Sequence, residues 1–395
     1  MDKNKKNEKE DFIIFATADW DTPYWTNKQH MAREFSKHGH RVLYIESIGL
    51  RKPKVNSSSD WKRIFFRLLR GLSRPKNVDL RIWVLSPLVL PYSFKHIWIK
   101  EFNEWMMAWQ IKRFTDKYKF INPYLWTYHP YILELNKRLK FKNKIIYHCV
   151  DDLSAIPGID KKSFNFEEKK LLKKSNFVFV TNEQLKKNCS KYNKRIYYFP
   201  NVVDYEHFSL AYSKRKVPED LKSIPKPRIV YMGAISEFKI NFNLLHKLIS
   251  KFYMYNFIFI GNEIEGQSNK IFKKITMLPN AHHLGYKPYL ELPYYLNEMQ
   301  IGLLPILKNK YTKSMSPMKF MEYIAAGLPV IFFGKNFLNE NKISRKISFV
   351  NNTDDFLSAI KKHLIVGKIT KKERLNIISD KTWRSRTSKI LEIIQ

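Results

Sequence analysis

Lys319 and Glu322 stand three residues apart in the segment Ser314-Met-Ser-Pro-Met-Lys-Phe-Met-Glu-Tyr-Ile-Ala-Ala-Gly-Leu-Pro-Val330, a spacing that puts both on one face of a helix. Ser316 suits the N-cap, and Pro317 suits the first helical position, where a missing N–H costs nothing. Backbone N–H groups from Met318 onward then point out of the helix N-terminus, an end that attracts phosphate oxygens without a glycine-rich loop. A lysine near the phosphates and a carboxylate accepting from vicinal ribose hydroxyls suit a nucleoside diphosphate. Taken alone, the same pattern reads first as a capped helix with a solvated Lys/Glu pair. Two acidic pairs add candidate chemistry. Asp19 and Asp21 flank Trp20 after the first strand-like run, and Asp151 and Asp152 end another. Each pair either lines a ligand cleft or caps the helix that follows it. His282 and His283 cannot share a metal, because adjacent strand residues point to opposite faces. Cys149 and Cys189 have no metal-type spacing and cannot frame a chain of this length with disulfides.

The elements that must position these groups alternate regularly. Strand-like runs at 12–17, 41–46, 81–86, 125–128, 144–150, 177–181 and 195–199 are separated by helical stretches, the first of them 28–37 with Gly39 as its stop. A segment rich in proline and charge follows, and the rhythm restarts with runs at 228–233, 256–261, 281–284, 301–305, 329–333 and 347–350. Helices are predicted at 241–252, 290–297, 317–326 and from Asp354 onward. Strands alternating with helices predict mostly parallel sheets covered on both faces. The expected fold class is therefore α/β, with two doubly wound, Rossmann-like domains facing across a cleft at their C-terminal sheet edges. The divisions expected are a disordered tail 1–10, an N-terminal domain 11–204, a hinge 205–227, a C-terminal domain 228–375, and a C-terminal helix 376–395 crossing back.

Composition narrows the function. The 395 residues include 71 Lys and Arg against 36 Asp and Glu, a formal charge of +35, with 44% hydrophobic and 15% aromatic residues. That is a folded chain with a cationic surface that must meet something anionic: nucleic acid, a phospholipid surface or a phosphorylated substrate. Glycine numbers only 12, no G-x-G-x-x-G occurs, and Gly261-x4-Gly266 continues with Gln267 where a P-loop needs lysine. P-loop ATPases and dinucleotide oxidoreductases are poor fits. Met1–Glu10 carries no secretory signal and no run of about 18 apolar residues exists, so the chain is expected in the cytoplasm.

Residues 278–330 contain a Pro-Asn-Ala-x-x-Leu-Gly strand, Leu-Pro-Tyr-Tyr-Leu, Gly-Leu-Leu-Pro305, and the Ser314–Val330 segment. Together these resemble the donor-binding half of GT-B glycosyltransferases of the family 4 type, close to the teichuronic-acid and surface-polysaccharide subgroup. Glu322 falls on the family glutamate that binds the nucleotide's ribose. Ser314 replaces the glutamate that helps hold the transferred sugar, and Lys319 takes over charge neutralisation. Pro200-Asn-Val-Val-Asp204 through Phe208 resembles the family's hinge motif. Gly233 and Lys239 resemble its Gly-Arg-x5-Lys element, with Ala234 in place of the arginine. Trp383 fits its last helix, which braces the first domain. Asp19-Trp20-Asp21-Thr-Pro resembles the subgroup's opening on the acceptor side. It is also a D-x-D, but only one strand precedes it, too few for the metal site of the other glycosyltransferase fold. Asp151 stands where the family has a histidine near the reacting carbon, from which a carboxylate could stabilise positive charge or orient the acceptor.

The resemblance implies a retaining, hexosyltransferase-like enzyme that moves a sugar from a UDP-, GDP- or dTDP-linked donor to a lipid-linked or oligosaccharide acceptor in surface polysaccharide biosynthesis. No cofactor and no metal are expected. The implied donor residues are Gly233, Lys239, Ser314, Ser316, Pro317, Met318, Lys319 and Glu322, with Asp151 and Asp152 catalytic and Asp19, Trp20 and Asp21 on the acceptor side. Two rivals are a basic nucleic-acid-binding protein, which needs base-stacking aromatics in a basic groove, and a catalytically inactive GT-B scaffold, suggested by Ser314 and Ala234. Nucleic acid is not the expected partner. Basic aromatic stretches at 61–72 and 92–114 suit peripheral attachment to the inner face of an anionic membrane, and equally suit packed core helices.

Overall fold

Short runs of wholly buried aliphatic and aromatic residues build two sheets. The computed structural model describes residues 9–22, 24–49, 71, 73–90, 97–212, 216–263, 269–313, 315, 317–334 and 345–395. The chain divides into one unit of Met1–Pro200 with Thr387–Gln395 and a second of Asn201–Arg386. The tail residues 1–8 and the stretch 61–72, apart from Gly71, lie outside the described residues, as do Ser314 and Ser316.

In the first unit the strands are β1 (Phe12–Phe15), β2 (Val42–Ile45), β3 (Lys76–Asp79), β4 (Ile82–Leu85), β5 (Tyr124–Thr127), β6 (Ile145–Cys149), β7 (Phe177–Val180) and β8 (Ile196–Tyr198). Their order is β3-β4-β2-β1-β5-β6-β7-β8, with Ile13 in register with both Leu43 and Leu125. Every pairing is parallel except β3 with β4. Covered on both faces, the central strands must be apolar on both, and β1, β2 and β5 are buried at every position. β3 is the strand that the apolar runs do not predict: Lys-Asn-Val-Asp lies largely exposed at the sheet's edge, where no apolar pattern is required.

The second unit holds β9 (Arg228–Met232), β10 (Asn256–Ile260), β11 (Ala281–Gly285), β12 (Ile301–Pro305), β13 (Val330–Phe333) and β14 (Ile347–Val350). They form an all-parallel sheet in the order β11-β10-β9-β12-β13-β14. Residues 205–227, expected as a hinge, belong to this unit. Phe208, Ala211, Leu221 and Ile224 are buried in one core with Val230, Met232 and Leu296. Arg228 fastens the segment through bonds from its guanidinium to the carbonyls of Leu221 (2.8 Å) and Ile224 (2.9 Å). Its apolar anchors are too widely spaced among prolines and charges to show a period. The helix Trp383–Ile394 begins in the second unit, and its residues from Thr387 onward belong to the first. There Ile390, Leu391 and Ile394 are buried, and the Thr387 hydroxyl donates to Met31 Sδ (3.8 Å) on the helix Asn27–Lys37.

Candidate functional site

β9 lies between β10 and β12, so the connections from its neighbourhood depart in opposite directions, and the crevice at such a switch point is where open α/β sheets take ligands. Gly233 follows β9 directly, with φ +133°, a region that side chains rarely enter. A Cβ there would lie 1.6 Å from Lys319 Cε and 2.5 Å from Lys319 Nζ, so the lysine side chain runs across the bare glycine backbone. The helix Met318–Ala325 that carries Lys319 is held by Tyr323. The Tyr323 hydroxyl accepts from Met232 N–H (2.7 Å) and its ring covers Gly302, where a Cβ would come within 2.5 Å. Two missing side chains thus let one helix settle onto the ends of β9 and β12.

The helix starts one residue later than the sequence suggests. Pro317 is the N-cap, and its side chain makes no capping bond because it has no hydrogen-bonding group to offer. Glu322 lies one turn beyond Lys319 and is only 9% exposed. Burial pushes its carboxyl up to about 7; the Lys319 charge opposes that rise and the Asp204 charge adds to it. The Lys319 ammonium is shifted downward, by burial first and by Lys239 second, while Glu322 acts in the opposite sense. Gly233, Lys239, Lys319 and Glu322 therefore form one electrostatic group, with Pro317 and Met318 at the start of its helix. Lys239 is steadied by aromatic faces, its Nζ 4.9 Å from the Phe238 ring centre and 5.6 Å from that of Tyr311. Two cations and one carboxylate poised near neutrality suit an anion that also presents hydroxyl donors.

Three contributors escape a reading of the sequence. Asp204 caps the helix Tyr205–Ser209 through His207 N–H (3.2 Å) and acts on Glu322 by charge. Tyr323 looks like one more apolar residue of its helix. Arg374 is buried, donates to the carbonyl of Ala325 (2.8 Å) at the end of that helix, and lies 3.8 Å over the Tyr212 ring. Arginine in a Lys/Arg-rich surface helix carries no local sign of such a role.

In the first unit, β1 occupies the equivalent switch point, between β2 and β5. The loop after it does not cap the next helix with Asp19 or Asp21. Thr26 stands at that N-cap, its N–H and hydroxyl both donating to the Gln29 side chain (3.1 Å each). Asp21 is exposed and Asp19 partly buried. Trp20, expected on the acceptor side, is buried, its backbone N–H donates to Glu46 Oε1 (2.8 Å), and its ring packs against Tyr44 and Trp25. Asp151 and Asp152 follow β6 at the C-terminal edge of the sheet. Asp152 accepts from the Ser154 hydroxyl (2.6 Å), whereas the helix Lys161–Lys174 is capped by Asp160. Behind them Glu168 accepts from the Tyr147 hydroxyl (2.6 Å), and burial lifts its carboxyl to about 7, with the Asp152 charge contributing. His282 and His283 take separate partners, Asn256 Oδ1 (3.0 Å) and the Gly261 carbonyl (2.7 Å).

Two doubly wound parallel-sheet units, with a cationic crevice at the switch point of the second, have the GT-B fold, two Rossmann-like domains in one chain. No family model matches the chain. It is similar to TuaH of Bacillus subtilis (strain 168), which carries the name of a teichuronic acid biosynthesis glycosyltransferase, at 24% identity over 273 residues, 63% of this chain. The chain spans 66% of the length of that curated relative. Among solved structures it resembles sucrose-phosphate synthase from Thermosynechococcus elongatus (TM-score 0.69, 12% identity, 98% of each chain) and a glycosyltransferase from Rickettsia africae ESF-5 (0.67, 15%, 98% of each). It also resembles HepE from Anabaena in complex with UDP and glucose (0.62, 9%, 98% of this chain and 99% of that one). At these identities the likeness is one of fold.

Proposed function

We propose that the protein is a retaining glycosyltransferase that moves a sugar from a nucleotide-sugar to a lipid-linked glycan acceptor in surface polysaccharide biosynthesis. The observation that carries this reading is the crossing of Lys319 over the bare backbone of Gly233, with Glu322 and Lys239 near enough to act on its charge. The TuaH likeness supplies the class of product. In this reading Glu322 accepts from the ribose hydroxyls. Lys319, Lys239 and the N-terminal end of the helix Met318–Ala325 receive the departing diphosphate. These cations take the place of a metal ion, so turnover is expected to persist in a chelator. Front-face attack by the acceptor lets the leaving phosphate take the proton, and Asp151 stabilises positive charge growing at the anomeric carbon.

Thermal melting with UDP, GDP and dTDP tests the donor half. At about 100 times Kd a nucleotide adds about 2.7 kcal/mol, which for a unit of this size raises Tm by roughly 5–10 °C. One of the three is expected to do so, and a flat response to all three removes the donor reading. Asp151→Asn tests the acceptor half. It is expected to lower kcat by about tenfold or more with little change in nucleotide affinity, since its charge matters as the transition state forms. Equal losses in both would make Asp151 an ordinary binding residue.

A further inference from the structure

The helix Ile97–Tyr118 is apolar on two opposite sides, and among the described residues one of them packs into the first unit's core. Asn103, Met107, Ile111 and Phe114 are buried, and Asn103 locks the docked side by exchanging bonds with Leu90, accepting from its N–H (2.8 Å) and donating to its carbonyl (3.0 Å). On the other side Trp98, Phe102, Trp105 and Trp109 are 61%, 39%, 53% and 50% exposed. Their 4-3-4 spacing keeps them within about 60° of helix surface, a stripe about 16 Å long. Helices at a protein surface place polar residues there, and a contiguous apolar row in that position marks a surface that binds something.

We propose that this stripe docks onto an anionic lipid bilayer. Tryptophan rings are suited to the headgroup layer, apolar in body with one N–H for water or phosphate. Cations flank the stripe's continuation: Lys112 and Arg113 are exposed one turn beyond Trp109, with the Arg113 guanidinium 5.5 Å over the Trp109 ring. Of the helix's acidic residues, Glu101 and Asp116 are exposed, whereas Glu104 is buried beside Lys100 (3.9 Å) and Arg138 (3.7 Å). The first unit as a whole carries 41 Lys and Arg against 21 Asp and Glu. That surplus complements a negatively charged leaflet within the Debye length. No helix among the described residues is long and apolar enough to cross a membrane, so the attachment lies in the interface plane. The proposal extends the reading of a lipid-linked acceptor, and its test uses neither nucleotide nor acceptor, so the two can fail separately.

The full chain is sedimented with phosphatidylcholine vesicles prepared with and without a quarter of phosphatidylglycerol. Wild type is expected to bind the anionic vesicles at least about tenfold better than the neutral ones. The triple variant Trp98→Ser, Trp105→Ser, Trp109→Ser should lose about tenfold or more of that binding. The three rings are at least half exposed, so the variant should stay folded, which its melting profile checks. Lys112→Gln with Arg113→Gln should lose less and should flatten the salt dependence. A triple variant that sediments like wild type overturns the proposal, as does a wild type that ignores anionic vesicles. It is also overturned if wild type self-associates in velocity sedimentation through these tryptophans while neither protein binds lipid; the stripe is then an interface between copies of the chain.

Discussion

Glu322→Ala is expected to abolish most nucleotide binding and, unusually for a buried position, to leave the protein no less stable above pH 7. Each ribose hydroxyl bond to a carboxylate contributes ~1.5–3 kcal/mol, so losing two lowers affinity by at least roughly a hundredfold. The stability effect follows from the sign of the proton linkage. Burial holds this carboxyl near 7, above its ordinary 4.5, so the folded protein keeps a proton that the unfolded chain releases. The resulting stabilisation is complete below about pH 4.5, declines as pH rises toward 7, and is lost above 7, where the buried group must ionise. Wild-type Tm should therefore fall between pH 5 and 8 by more than that of the variant. Nucleotide binding should run the other way, because hydroxyl donors need the ionised carboxylate. Wild-type affinity should rise through pH 7 with release of protons, and calorimetry in buffers of different ionisation enthalpy measures that release. Affinity that is independent of pH and of the substitution would place Glu322 outside the donor site.

Arg374→Ala should strongly destabilise the second unit. The guanidinium loses its bond to the Ala325 carbonyl and its stack on Tyr212. A charged hydrogen bond at ~1.5–3 kcal/mol and a desolvated cation–π contact at ~2 kcal/mol together come to about 3–5 kcal/mol, or roughly 6–20 °C in Tm. Arg374→Lys should recover only part, because an ammonium cannot stack as a plane and donate sideways at once. The same bond holds the C-terminal end of the helix that bears Lys319 and Glu322. Nucleotide affinity should weaken with stability, although Arg374 is outside the nucleotide-binding group. Melting curves of the two variants with and without nucleotide check both effects, and an Ala variant that melts like wild type would show the contact to be dispensable.

The strands were legible because sheets buried on both faces demand uninterrupted apolar runs, as in Phe12–Phe15 and Val330–Phe333. β3 was not, since an antiparallel edge strand of Lys-Asn-Val-Asp needs no apolar side, and its turn is made locally by Leu80 N–H donating to Asp79 (2.7 Å). Lys319 and Glu322 were legible from helical spacing. Gly233 was named by resemblance alone, and its physical role was not legible, because that role appears only when a residue 86 positions later crosses it. Asp204 was visible as part of the motif at 200–208 and invisible as a charge acting on Glu322. Trp20 was legible as a residue of the loop after β1, and its packing against Tyr44 and Trp25 was not, because an aromatic residue after a strand reads the same in sequence whatever it touches.

The division of the chain also bears on the order in which it can fold. The first unit receives Thr387–Gln395 from the far end, across the whole of Asn201–Arg386. At roughly 5–20 residues per second, a ribosome needs about 10–40 s to synthesise that intervening stretch. Until then the first 200 residues lack the wedge of Ile390, Leu391 and Ile394, and Met31 and His38 lack their partners Thr387 and Ser388. The N-terminal unit, although made first, is finished last. A nascent chain therefore spends nearly half of the synthesis of these 395 residues with an apolar seat open to water, a natural docking point for a chaperone.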